Sequence, residues 1–96
     1  MTIEKNLNGN ELTVAIVGRL DTTTAPQLEA EFKQNIDGVE KLVLDFANLE
    51  YLSSAGLRVL LGAHKKTNGA MKLTHVGEMV MEVFEMTGFA DILTIE

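Results

Sequence analysis

The chain has 96 residues, 46% apolar and 23% charged, with a formal net charge of −6 and no cysteine. That length and composition bound it to one globular domain, residues 1–96, and exclude an intrinsically disordered chain. The missing thiols exclude a disulfide framework and a cysteine nucleophile, and the acidic balance argues against nucleic acid or anionic lipid as a partner.

A domain of this size buries roughly 60–65% of its unfolded surface, enough for one core. No run approaches the roughly 20 apolar residues of a membrane span. The opening Met1-Thr2-Ile3-Glu4-Lys5-Asn6 has neither the basic region nor the apolar run of a signal peptide. A cytoplasmic protein without membrane insertion is the expectation.

A short strand is expected near Ile3 to Leu7, turning at Asn8-Gly9-Asn10 into a second over Glu11 to Gly18. Leu12, Val14 and Ile16 share one face of the second strand; Thr13, Ala15 and Val17 share the other, which suits a central position. A helix follows. Thr24 and Gln27 fit a capping box, Pro26 suits a first turn, and Ala25, Leu28, Phe32 and Ile36 form the apolar stripe before Gly38. Lys41-Leu42-Val43-Leu44-Asp45-Phe46 reads as a strand covered on both faces. The segment Asn48 to Ser54 reads as a loop.

A second helix is expected from about Ala55 to Asn68, with Leu57, Leu60, Leu61 and His64 on its inner face. Ala70 to Val76 is the next strand. A third helix covers about Glu78 to Met86, with Val80, Val83 and Phe84 inward; Met79, Met81 and Met86 cannot all join them, so at least one is exposed. Gly88 suits the left-handed position after that helix, with Phe89 folding back on Phe84. Ile92 to Ile95 is a last strand. The alternation predicts an α/β domain with a mixed, mostly parallel sheet flanked by helices. In such sheets the loops at the carboxyl ends of the strands are the functional rim. Here these are Gly18 to Thr24 and Asn48 to Ser54, side by side if their strands are adjacent.

Catalytic chemistry finds little support along this rim. Ser54, His64 or His75, and Asp21 or Asp45 supply the residue types of a hydrolase triad, but no Gly-x-Ser-x-Gly elbow surrounds Ser54. The two histidines lack metal-ligand spacing, and no glycine-rich phosphate cradle occurs, so no metal or cofactor is expected. What remains is Ser53-Ser54, two hydroxyls where a strand-like run gives way to a helix. A hydroxyl there can cap the helix, hold an anion on free N–H groups, or be offered to another protein for modification. The following Ala55-Gly56 reads as leaving the surface open to such a protein.

Three segments carry a family resemblance. Gly18-Arg19-Leu20-Asp21 with Thr22-Thr23-Thr24-Ala25, then Leu42 to Phe46 with Leu49-Glu50-Tyr51-Leu52-Ser53-Ser54-Ala55-Gly56-Leu57, then Val83-Phe84-Glu85-Met86-Thr87-Gly88-Phe89 resemble, in order and spacing, a STAS domain of the anti-sigma factor antagonist type. The resemblance implies a non-enzymatic regulator that works by partner switching. It binds an anti-sigma factor that is also a serine/threonine kinase, thereby releasing a sigma factor. The kinase phosphorylates a loop serine, and a metal-dependent serine phosphatase reverses this. By position Ser54 matches the phosphoacceptor. Asp21, Thr22, Thr23, Ser53, Ser54, Ala55, Gly56, Leu57 and Arg58 match the partner-binding surface. The family usually has Asp before the acceptor; here Ser53 stands there, a second candidate acceptor, and Ala55 replaces a second hydroxyl. Two other readings share the sheet and the serine loop: a STAS subunit of a membrane lipid-transport ATPase complex, and a scaffold subunit of a signalling assembly.

Overall fold

The computed structural model describes residues 1–96. Strands β1 (Thr2–Asn8) and β2 (Glu11–Leu20) form an antiparallel hairpin, turned at Gly9 with φ +63°. Then follow α1 (Ala25–Asn35), β3 (Lys41–Asp45), β4 (Leu49–Leu52), α2 (Ser54–Lys66), β5 (Met71–Thr74), α3 (Glu78–Thr87) and β6 (Thr94–Ile95). The sheet order is β1-β2-β3-β5-β6, parallel from β2 onward, with β4 paired to the far end of β2. This is the mixed, mostly parallel α/β sheet that the alternation predicts.

From β2 onward the order moves in one direction across the sheet. Right-handed crossovers then place every helix on the same face. The burial pattern agrees. Leu12, Val14, Ile16, Leu42, Leu44, Met71 and Leu73 share a core with Leu28 and Phe32 of α1, Leu57 and Leu60 of α2, and Val80 and Phe84 of α3. Phe84 stacks on Phe46 with ring centroids 6.5 Å apart. The opposite face carries the in-register row Thr13, Val43 and Lys72 and the row Ala15, Asp45 and Thr74. Val43 is 7% exposed but stands outside the core cluster. The expectation of a β3 covered on both faces is therefore corrected: one valine closed a run that alternates underneath, and its neighbours, not a helix, shield it.

Three further differences have local causes. Residues 49–52 are a strand, not a loop, because β2 is longer than its pattern suggests. After a register shift at Gly18/Arg19, where Gly18 has φ +99°, β2 continues to Leu20 and pairs with β4. Helix α2 buries Gly56, Leu57, Val59, Leu60 and Ala63, while Leu61 and His64 stay half-buried. Its inner arc turns toward small residues because α2 packs on α1 as well as on the sheet. The last strand shrinks to two residues, since a 3₁₀ turn over Phe89–Asp91 uses up the chain before it. Gly88 has φ +82° as expected, and Met79 and Met86 are 73% and 86% exposed. No helix is long and apolar enough to cross a membrane.

Candidate functional site

Two turns meet at the carboxyl rim where β2 and β4 end. Ser53 N–H donates to the Leu20 carbonyl at 2.9 Å, so the turn after β2 and the turn after β4 are tied edge to edge. The adjacency expected of the two loops is present, and β4 is what produces it.

The β2–α1 turn is organised by Asp21. Its Oδ1 accepts from Thr23 N–H at 3.0 Å, Thr23 Oγ1–H at 2.7 Å and Thr24 N–H at 3.1 Å. These bonds favour the ionised form, Thr23's hydroxyl most of all, and draw the carboxyl down to about 2 from 3.8. The predicted capping box is not formed. Thr24 Oγ1 instead accepts from Asp21 N–H and donates to the Arg19 carbonyl, both at 2.8 Å, and makes no side-chain cap to the helix. The hydroxyl is held back in the turn by these two bonds, and the Gln27 N–H that it would have capped donates to the Thr24 carbonyl instead, at 3.0 Å. On the outer side, Arg19 Nε lies 3.6 Å from Asp21 Oδ2, and its guanidinium sits 4.3 Å from the centre of the Tyr51 ring.

The β4–α2 turn divides its two hydroxyls. Ser53 is the N-cap: extended backbone, half-buried, Oγ accepting from Gly56 N–H at 3.4 Å. Ser54 is the first residue of α2 and is exposed. Gly56 does not open the surface as its sequence context suggested. It is buried, and a Cβ there would lie 2.7 Å from both Leu20 Cγ and Leu52 Cδ1. The missing side chain lets the first turn of α2 settle onto the ends of β2 and β4, which fixes where Ser54 projects.

Of the residues expected at a partner surface, Thr22, Thr23, Ser54 and Arg58 are exposed, and Asp21, Ser53 and Ala55 half-buried. Gly56 and Leu57 are core residues, so they shape the surface from below and cannot touch a docked partner. Sequence reasoning gave no role to Arg19 or Tyr51, while Met79 is one of the methionines of which at least one was expected to be exposed. Tyr51 and Met79 border an apolar groove of about 110 Å³ between β4 and α3, completed by Leu52, Val80 and Val83. The signal was present in a large exposed aromatic beside the serines, but its meaning required β4. The residues of a hydrolase triad are not gathered at Ser54: His75, just past β5, pairs through Nδ1 with Oδ1 of Asp45, the last residue of β3, at 3.0 Å, and His64 stands in the last turn of α2.

The sequence matches the STAS domain family over residues 2–96. The chain belongs to the STAS domain family. Within it, the chain is of the anti-sigma factor antagonist type. It is 39% identical over 88 residues to BtrV of Bordetella bronchiseptica, a provisionally named anti-sigma factor antagonist, covering 88% of this chain and 76% of that one. To the anti-sigma-B factor antagonist of Bacillus subtilis it is 29% identical over 98 residues, covering 99% and 90%. The fold superposes on the Bacillus anti-sigma factor antagonist SpoIIAA in its unphosphorylated form with a TM-score of 0.84, at 18% identity, covering 99% of this chain and 88% of that one.

Proposed function

We propose that this STAS domain acts in the cytoplasm by partner switching. It docks through the paired rim turns onto an anti-sigma factor serine/threonine kinase, frees a sigma factor, and is switched off when the kinase phosphorylates Ser54. A metal-dependent serine phosphatase restores the docking form. The observation that carries this reading is the division of labour between the two serines. Ser53 is committed to the helix cap, and Ser54 is exposed one residue later. Of the two candidate acceptors, Ser54 is the one a kinase can reach without uncapping α2.

The electrostatics define how such a switch works. A phosphate on Ser54 adds a charge of about −1.5 to −2 at a helix N-terminus, where free N–H groups and the helix dipole favour an anion. The domain therefore stays folded. Dissociation comes from bulk and charge placed in the middle of the docking surface, beside Asp21, which is already ionised. The decisive measurement is intact mass after incubation with the kinase and ATP. One added phosphate is expected, retained in Ser53→Ala and lost in Ser54→Ala. A constitutive subunit of a transport ATPase would gain none.

A further inference from the structure

The rim is not the whole of the exposed surface built by α1 and α2. Between these helices runs a groove of about 170 Å³. Its floor is apolar, made by Phe32, Val59 and Ala63, all buried. Its borders carry Lys33, Arg58 and Lys66, against the single carboxylate Glu29. A second depression, lined by Thr22, Ala25, Pro26 and Ala55, shares Glu29 and Val59 with it and carries it on to the Ser54 turn.

The charge is unusual for this chain. With 8 lysines and arginines against 14 acidic residues, cations are scarce. Lys5, Arg19, Lys33 and Lys72 each face a carboxylate. That leaves Lys41, Arg58, Lys65 and Lys66 unpaired, and three of these four stand on α2, two of them on the groove. A net positive, apolar-floored channel in a protein of net charge −6 is complementary to an acidic partner segment, while the net charge that two copies share opposes their close approach. At about 170 Å³ it is also smaller than the roughly 300–1,000 Å³ of a cofactor pocket, but it suits the side-chain ridge of a helix.

We propose that the α1–α2 groove docks an acidic amphipathic segment of the partner protein, with apolar side chains on Phe32, Val59 and Ala63 and carboxylates on Arg58 and Lys66. The proposal rests on the partner-switching reading and extends its contact surface from the rim along α2. Gly62 offers a clean way to close the groove. It is an exposed residue of the groove lining, and a Cβ there meets nothing within 4 Å. A larger residue at that position therefore fills the channel without straining the core, and it favours the helix.

The test uses the full chain labelled with ¹⁵N and two synthetic helical peptides, each with a leucine stripe, one flanked by glutamates and one by lysines. The glutamate peptide is expected to shift the amides of Val59, Gly62 and Ala63, with affinity falling as salt is raised. Arg58→Glu with Lys66→Glu should lower that affinity roughly tenfold, and Gly62→Leu should abolish the shifts in a folded protein. Equal response to the lysine peptide, shifts confined to other surfaces, or groove shifts that grow with protein concentration in the absence of peptide would each overturn it. Phosphate transfer to Ser54 is read separately, so failure of the groove proposal is distinguishable from failure of the partner-switching reading on which it rests.

Discussion

The two turns at the rim use similar residues to opposite ends. In the turn after β2, Asp21, Thr23 and Thr24 satisfy one another, and the hydroxyls and the carboxylate are spent on holding the chain in place. In the turn after β4, Ser53 alone does the capping and Ser54 is left exposed. A polar cluster saturated by its own backbone makes a border; the position proposed for modification is the neighbouring group that the local structure does not need.

That contrast can be broken most severely through the floor both turns share. Gly56→Val drives a branched side chain into Leu20 and Leu52 and should destabilise the domain by about 1–3 kcal/mol, seen as a lowered urea midpoint. Next comes the exposed hydroxyl. Ser54→Asp should weaken kinase binding at least about tenfold, equivalent to roughly 1.4 kcal/mol, while the melting temperature holds or rises slightly, because α2 gains an anion at its N-terminus. Ser54→Ala should keep both. Calorimetric titration alongside thermal melts separates the two effects, and equal affinity for all three forms would remove Ser54 from the interface.

The committed hydroxyl should behave in reverse. Ser53→Ala loses a long cap bond and should cost about 0.5–1 kcal/mol of stability with the phosphate still arriving at Ser54. The smallest effect concerns Asp21. Its carboxyl titrates lower in the folded protein, near 2, than the ordinary 3.8, so its stabilising contribution is complete above the ordinary value and is lost as pH falls toward the folded one. Asp21→Asn should lower stability modestly at neutral pH and leave it little changed near pH 2, which flattens that part of an acid-unfolding curve. An unchanged acid limb would show that the turn is held by its backbone alone.

Much of this was legible from local chemistry. The element alternation, the hairpin at Gly9, the left-handed stop at Gly88 and the pair of hydroxyls at the start of α2 depend on residues within a few positions of one another, where periodicity, capping and glycine's access to positive φ act directly. An exposed methionine on α3 followed from counting what one helix face can bury.

Other features depended on partners far away along the chain. That 49–52 form a strand follows from the shift in β2 at Gly18. That Gly56 is buried follows from Leu20 and Leu52 meeting beneath it. That the Thr24 hydroxyl turns back to Asp21 and Arg19 and leaves α1 without a side-chain cap follows from how the turn closes, and that Val43 faces no helix follows from a strand order running one way across the sheet. Sequence alone determines which segments are helix or strand and which serines stand at the helix start, because those preferences are paid locally in backbone entropy and hydrogen bonds. Which hydroxyl is free, which glycine is a spacer and where unpaired cations gather are decided only by tertiary contact, because burial and pairing are properties of neighbours in space.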